Sequence, residues 1–334
     1  MTRMLRRRYV LIAILCFAFL WQLLSKTTLT LPEFFRDTVT LSLGVLYEAF
    51  PFVILGTILS SIVQLYIPSS WLIRILPKQR FFRRATLSLS GSVLPVCECG
   101  NVPLARGLMM KGIAPQDALT FILAAPIINP VTALTTHQAF LHQPLLLPLR
   151  LGGAFIIANL IGWLFDTPTK KPITNDTFTH ACKHSNLSNA NTPKRKKTRL
   201  YDHISRFSQM FQNELLTLLP ALIGGSLLAG IVQTTFPRTW LTSIATQPVL
   251  AIGVMILLAF VVSICANVDA FFALSLSSIF PMSAILAFLV FGPMIDLKML
   301  ALLKTTYTKK VLIQVSAIVF LCSYLIGLGA HYVL

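Results

Sequence analysis

Acidic residues are scarce in this chain. Only 11 Asp and Glu stand among 334 residues, and charged residues of both signs make up 12%. A soluble protein keeps about a quarter of its residues charged. That shortage, beside 55% hydrophobic residues in runs as long as a bilayer crossing, excludes a water-soluble globule. The apolar-polar alternation of a barrel strand is missing as well, which leaves helices as the spanning elements. Enzyme signatures are lacking: there is no HExxH, no P-loop and no GxGxxG. His137, His142 and His331 fall at expected outer helix ends with no spaced partner for zinc. No resident cofactor is expected, and an ATP-driven pump would need a separate subunit to supply the ATPase. The six cysteines form no secreted disulfide framework, because Cys16, Cys97, Cys99, Cys265 and Cys322 lie in apolar segments and Cys182 in an expected cytoplasmic loop.

What charge there is has one dominant sign, a formal +17. Its placement argues against nucleic acid as a partner. Lys and Arg gather in short blocks between apolar segments, at Arg3 to Arg8, Arg74 to Arg84, Lys194 to Arg199 and Lys304 to Lys310. Such blocks mark cytoplasmic loops, and contact with anionic lipid headgroups is their by-product. The N-terminal TRMLRRR and the apolar run after it resemble a signal sequence without a cleavage site, so an uncleaved first crossing is expected. With the N-terminus inside, crossings are expected near 9–25, 39–67, 116–137, 145–165, 207–236, 283–303 and 311–333. Two short hairpins, about 85–112 and 248–280, lie between them, either re-entrant or fully spanning. In domain terms, 1–38 is an N-terminal crossing with an outer loop, 39–165 a first repeat, 166–206 a basic cytoplasmic linker rich in polar residues, and 207–334 a second repeat.

The repeat is countable. Aligning Pro51 with Pro220 and running without gaps gives nine identities: Pro51/Pro220, Gly56/Gly225, Leu59/Leu228, Ile62/Ile231, Val63/Val232, Gln64/Gln233, Pro68/Pro237, Trp71/Trp240 and Leu72/Leu241. Cys97 then falls on Cys265, and Leu119, Phe121, Pro126 and Ile128 fall on Leu286, Phe288, Pro293 and Ile295. Equivalent loops differ in charge: the basic loop of Arg74 to Arg84 answers to the uncharged SIATQP at 243–248, and HQAFLHQPLLL answers to the basic KTTYTKK. Equivalent loops therefore belong on opposite sides of the membrane. An all-α polytopic bundle with two inverted repeats and broken or re-entrant hairpins is predicted, a plan that places substrate near the midplane.

The segment PVCECGNVP, Pro95 to Pro103, carries the most chemical information. Pro95 and Pro103 lack a backbone donor and Gly100 is permissive, so the helix is expected to break here, against a cavity. On an extended backbone Cys97 and Cys99 share a face and can meet one soft ion, the kind that sulfur ligands prefer. Incidental thiols at a structural helix break are the plainer reading. Glu98, Asp269 and Asp296 sit in apolar surroundings, where a charge costs about 2.5–3.5 kcal/mol, so they are candidate charge partners or proton carriers. The plainer reading of Asp296 is an interfacial pair with nearby Lys298. Asn129 and Asp296 occupy equivalent places just after Pro126 and Pro293, each of which should free a carbonyl. Arg106 and Lys111 read as interfacial anchors, and Glu48 and Glu214 as interfacial residues near helix ends.

From Pro95 to Ala133 the chain resembles a predicted permease family that includes organoarsenical efflux permeases, and SICANVDAFFALS and AFLVFGPMIDLKML resemble that family's second signature. The resemblance spans most of residues 39–330 and implies a bacterial inner-membrane permease. For the members that export trivalent organoarsenicals it implies thiol ligands at the positions of Cys97 and Cys99. Those exporters tend to carry a Cys-Ser-Cys core, whereas the CECG form here is closer to an uncharacterised branch. A divalent metal such as zinc fits the Cys/Glu/Asp set equally well. The expected activity is secondary export of a thiophilic metal, metalloid or organometalloid, with Cys97 and Cys99 as metal ligands. Glu98, Asn101, Asn129, Cys265, Asn267, Asp269 and Asp296 complete the expected substrate-binding set. The alternative is a membrane thiol-redox protein cycling the Cys97/Cys99 pair. A homo-oligomer or an accessory subunit role is compatible with either.

Overall fold

The structure, a computed structural model, describes residues 33–68, 74, 76–92, 97–166, 173–176, 178–179, 200–235 and 248–332. The expected crossing at 9–25, Pro95, Cys16, Cys182 and the KRKK run lie outside the described residues. Twelve α-helices are present among those described, and no strand beyond one isolated bridge, Thr174 with Tyr307. We number them α1 (Glu33–Tyr66), α2 (Arg80–Leu89), α3 (Glu98–Met110), α4 (Pro115–Ala124), α5 (Pro130–Ala139), α6 (Leu146–Leu164), α7 (Leu200–Thr235), α8 (Pro248–Val262), α9 (Asp269–Leu276), α10 (Met282–Phe291), α11 (Leu297–Leu303) and α12 (Lys309–Ala330).

Among the described residues, four stretches are long and apolar enough to cross a bilayer: Phe34–Tyr66, Leu146–Leu164, Ile204–Thr235 and Lys309–Ala330. On α7, Leu216, Ile223, Leu227 and Ile231 are exposed while Leu218, Leu222, Ser226 and Ala229 are buried. A helix with apolar residues on its exposed face as well has lipid, not water, as its solvent. The chain is a multi-pass helical membrane protein.

Elements of the two halves correspond. α4 and α10 begin and end at positions 167 residues apart, and α5 and α11 begin at the same offset. α4 packs on α6 as α10 packs on α12, α2 on α6 as α8 on α12, and α3 on α4 as α9 on α10. Between halves, α3 meets α11 and α9 meets α5. The equivalent long helices α1 and α7 pack along each other antiparallel, since Thr38 near the start of α1 lies 2.9 Å from Thr234 near the end of α7.

Three expectations need correction. The stretches expected to cross at 116–137 and 283–303 are each two helices, not one: α4 and α5 separated at Ala125–Asn129, and α10 and α11 separated at Gly292–Asp296. Pro126 and Pro293 cannot donate to the preceding turn, and Pro130 in the first position of α5 fits a new helix start. Second, Gly100 and Pro103 do not break the chain but lie inside α3, with Cys97 extended just ahead of it, at φ −74° and ψ 175°. The ring at Pro103 removes the intrahelical donor for the Cys99 carbonyl, a loss that membrane helices tolerate. Third, part of the expected linker is packed. The amide of Thr308 donates to the Ile173 carbonyl, Asn175 Nδ2 donates to the Lys304 carbonyl, and α7 begins at Leu200.

At the end of α6, Asp166 accepts from Arg80 and Arg84, while Arg83 and Arg84 also hold Asp117. Burial works to raise the Asp166 pKa, but hydrogen bonds from Arg84 and Arg80 outweigh it and hold the carboxyl below its ordinary 3.8. A depressed carboxyl contributes stability that is full above the unfolded value and lost as pH falls through the folded one. Asp166→Asn is therefore expected to flatten the fall of melting temperature below pH 3.8 in detergent. An unchanged acid slope would show the cluster to be energetically idle.

Candidate functional site

The site grows from helix starts. Glu98 opens α3 behind the extended Cys97, Asp269 opens α9, Asn129 caps α5 and Asp296 caps α11. The caps are made by side chains: the Val131 amide donates to Asn129 Oδ1 at 3.0 Å and the Met299 amide to Asp296 Oδ1 at 2.6 Å. Each cap satisfies one of the amides that a helix start leaves without an intrahelical acceptor. Acids at these ends also sit in the positive field of the helix dipole.

Three ligand atoms, from Cys97, Glu98 and Cys265, lie within 4.8 Å of one another, and all three residues are buried. The Cys265 thiol donates to Glu98 Oε2 at 3.6 Å. Cys97 interacts with the thiols of both Cys265 and Cys99. Cys99 is 1% exposed but stands outside the three-atom set. The sulfur that joins Cys97 and Glu98 in that set thus comes from the other half of the chain.

A second shared feature is a lysine. Lys298 Nζ lies 3.1 Å from Glu98 Oε1 and 3.7 Å from Asp296 Oδ2, and donates to the Ser263 carbonyl at 2.8 Å. The contact with Glu98 is an ion-pair approach rather than an aligned hydrogen bond, and Asp296 Oδ2 has no hydrogen-bond partner among the described residues. Asp296 and Lys298 do pair, as the plainer reading had it, and both are enclosed by protein at 1% exposed.

Asn101 follows one turn on, fully buried, and neither of its amide atoms has a hydrogen-bond partner among the described residues. Buried amides are normally satisfied, so an unpaired one marks a place for a ligand or water. Asp269 engages Arg150, not the sulfur cluster: the guanidinium donates to Asp269 Oδ2 and to Thr136 Oγ1 at 2.7 Å. The Thr132 hydroxyl of α5 donates to the Pro126 carbonyl at 2.9 Å, a carbonyl left without a helical donor because Pro130 has no amide hydrogen, and lies 3.3 Å from Asn267 Oδ1. Asn129 and Asn267 therefore belong to the α5–α9 contact.

Motif reading missed Arg150 altogether and gave Lys298 only Asp296 as a partner, not Glu98. Each is the one Lys or Arg in its expected crossing, 283–303 and 145–165 respectively, and that was the available signal. Arg106 and Glu214, expected as interfacial residues, are both enclosed by protein. They form a buried pair at 2.6 Å, with Arg106 also donating to the Thr305 and Thr306 hydroxyls and lying 4.7 Å from the Phe178 ring centre. Glu214 sits well inside α7, not near its end.

Broken helices inside a multi-pass bundle, with paired charges and thiols at the breaks, define the transporter class of membrane protein. Residues 34–332 match the family described as "Predicted permease", and the chain belongs to that family. It is similar to the "Putative two-component membrane permease complex subunit" of Streptococcus mutans, at 32% identity over 85% of this chain and 91% of that protein. It is also similar to the UPF0718 protein YcgR of Bacillus subtilis, at 31% identity over 84% of this chain and 92% of the relative. The UPF0718 protein YraQ of Escherichia coli matches at 32% identity over 37% of each chain. No solved structure matches. The family and the Streptococcus mutans relative are described as permeases rather than enzymes, and transport is the function they define.

Proposed function

We propose that this permease is a secondary transporter that exports a thiophilic cation through the centre of the bundle. The observation that carries the reading is the buried set of Cys97, Glu98 and Cys265 at the broken helix ends. Two sulfurs and one carboxylate suit a soft or borderline metal such as cadmium, zinc or a trivalent metalloid. Cys99 and Asn101 complete the coordination, and Asp296 balances charge through Lys298. Asp269, Asn129 and Asn267 hold the α5–α9 break. The halves 39–165 and 207–334 act as inverted repeats that rock about this site, in a bacterial inner membrane with the N-terminus cytoplasmic. Thiols must lose their protons to bind metal, so binding strengthens as pH rises. The name of the Streptococcus mutans relative supports a second subunit that works with this chain.

The test is export in a metal-sensitive host together with cadmium binding by the purified protein. Cys97→Ala and Cys265→Ala are each expected to weaken cadmium binding at least about tenfold and to abolish tolerance. Wild-type tolerance and binding in both variants, at equal membrane abundance, would remove the sulfur site from the transport path.

A further inference from the structure

Lys298 is the one group at this site whose charge has the wrong sign for a cation carrier. It is fully buried in a place made for an ammonium. Three acceptors surround Nζ: the Ser263 carbonyl, Glu98 Oε1 and Asp296 Oδ2. The carbonyl takes a hydrogen bond from the ammonium, and the two carboxylates neutralise its charge as ion pairs.

The Ser263 carbonyl is placed by unusual backbone. Ser263 has φ 51°, and it is the one non-glycine with positive φ among the described residues. A side chain at such a φ is strained and persists only where its surroundings enforce it. Here the turn at the end of α8 brings two Ser263 atoms to α11: the carbonyl to Lys298 and the hydroxyl, at 3.3 Å, to the Leu297 amide.

Resting on the cation-transport reading above, we propose that Lys298 is the release and selectivity residue of the site. Its ammonium stands on Glu98 Oε1 while the sulfur pocket opens on Oε2, so a bound cation and Lys298 compete for the single negative charge of one carboxylate. Glu98 shares its carboxylate between the Cys265 thiol on Oε2 and Lys298 on Oε1. A cation held by Cys97, Cys265 and Glu98 therefore drives the ammonium off Glu98 by like-charge repulsion. Lys298 keeps the Ser263 carbonyl and moves its charge to Asp296, whose Oδ2 has no hydrogen-bond partner in the resting arrangement. Return of the ammonium to Glu98 then expels the cargo. A neutral organometalloid bound through sulfur alone provokes no such exchange, so the lysine selects for cations.

The experiment compares wild type, Lys298→Met, Lys298→Arg and the charge-balanced double variant Lys298→Met/Asp296→Asn, binding either cadmium or neutral phenylarsine oxide in detergent. The double variant guards against misfolding caused by an unbalanced acid pair. Removing the competing charge is expected to tighten cadmium binding at least about tenfold in both Met-containing variants and to slow its release. Phenylarsine oxide affinity should stay unchanged, and Lys298→Arg should bind cadmium like wild type. Weaker or unchanged cadmium binding in a folded double variant overturns the proposal, as does an equal gain for phenylarsine oxide. If wild type itself binds no cadmium, the cation reading of the sulfur site fails, and that outcome is distinct from a wild type that binds while the lysine variants do not tighten.

Discussion

Gly56→Ala is expected to lower cargo affinity about 10–100-fold while the protein still inserts in the membrane. A Cβ on Gly56 would lie 2.7 Å from Gly100 Cα and 2.8 Å from its carbonyl carbon. Both are backbone atoms of α3, so no side chain can turn aside to make room. The added methyl must push α1 from α3, and α3 begins with Cys97 and Glu98. Overpacking of this kind costs about 1–3 kcal/mol, which a large bundle survives, but the ligand positions shift with the helix. The equivalent glycine in the second half behaves alike: a Cβ on Gly225 would lie 2.8 Å from Ala301 Cβ and 3.0 Å from Lys298 Cα. Its neighbour Gly224 meets nothing within 4 Å, so Gly224→Ala is the matched control and should bind like wild type. Cadmium titration of the three variants measures the effect. Equal affinities throughout would mean that close helix approach does not set the site geometry.

The largest loss of stability is expected from Arg150→Ala. Arg150 is among the largest side chains that are wholly buried, and its partner Asp269 is 2% exposed. Taking away the guanidinium strands an acid in the bundle, and a broken buried pair costs about 3–5 kcal/mol. Asp269→Asn should also be costly, since it strands the cation. The double variant Arg150→Met/Asp269→Asn should regain most of the loss, because a vacated pair is far cheaper than half of one. Thermal unfolding in detergent, read as a double-mutant cycle, gives the coupling. Strict additivity of the two single changes would show the pair to be water-screened rather than buried.

How much of this was legible in the sequence depended on whether the signal was local. Pro126 and Pro293 stood at fixed offset, and their effect on the preceding carbonyl followed from the imino ring. They were nevertheless read inside continuous crossings, because an apolar run of that length spans a bilayer whether straight or interrupted. Gly56 and Gly225 were found as an identity of the repeat, but no linear pattern told which backbone each one faces. Cys265 was visible as the counterpart of Cys97, and that same offset hinted at a site drawing sulfur from both halves. Gly100 and Pro103 were misread because composition alone could not tell that the helix would start at Glu98 and carry a proline inside. The pairs Lys298–Glu98 and Arg150–Asp269 were hardest, since each joins the two halves and nothing in one dimension links its members, whereas Lys298 and Asp296 are sequence neighbours.

That crosswise arrangement of counter-charges has a consequence for biosynthesis. Glu98 is made 200 residues before Lys298, a delay of roughly 10–40 s at ordinary elongation rates. Arg150 likewise waits for Asp269. During that interval the nascent first half holds an acid and a base whose eventual partners do not yet exist. It has to keep them hydrated beside the insertion machinery, so the ribosome's schedule, and not the first half alone, decides when the interior can close.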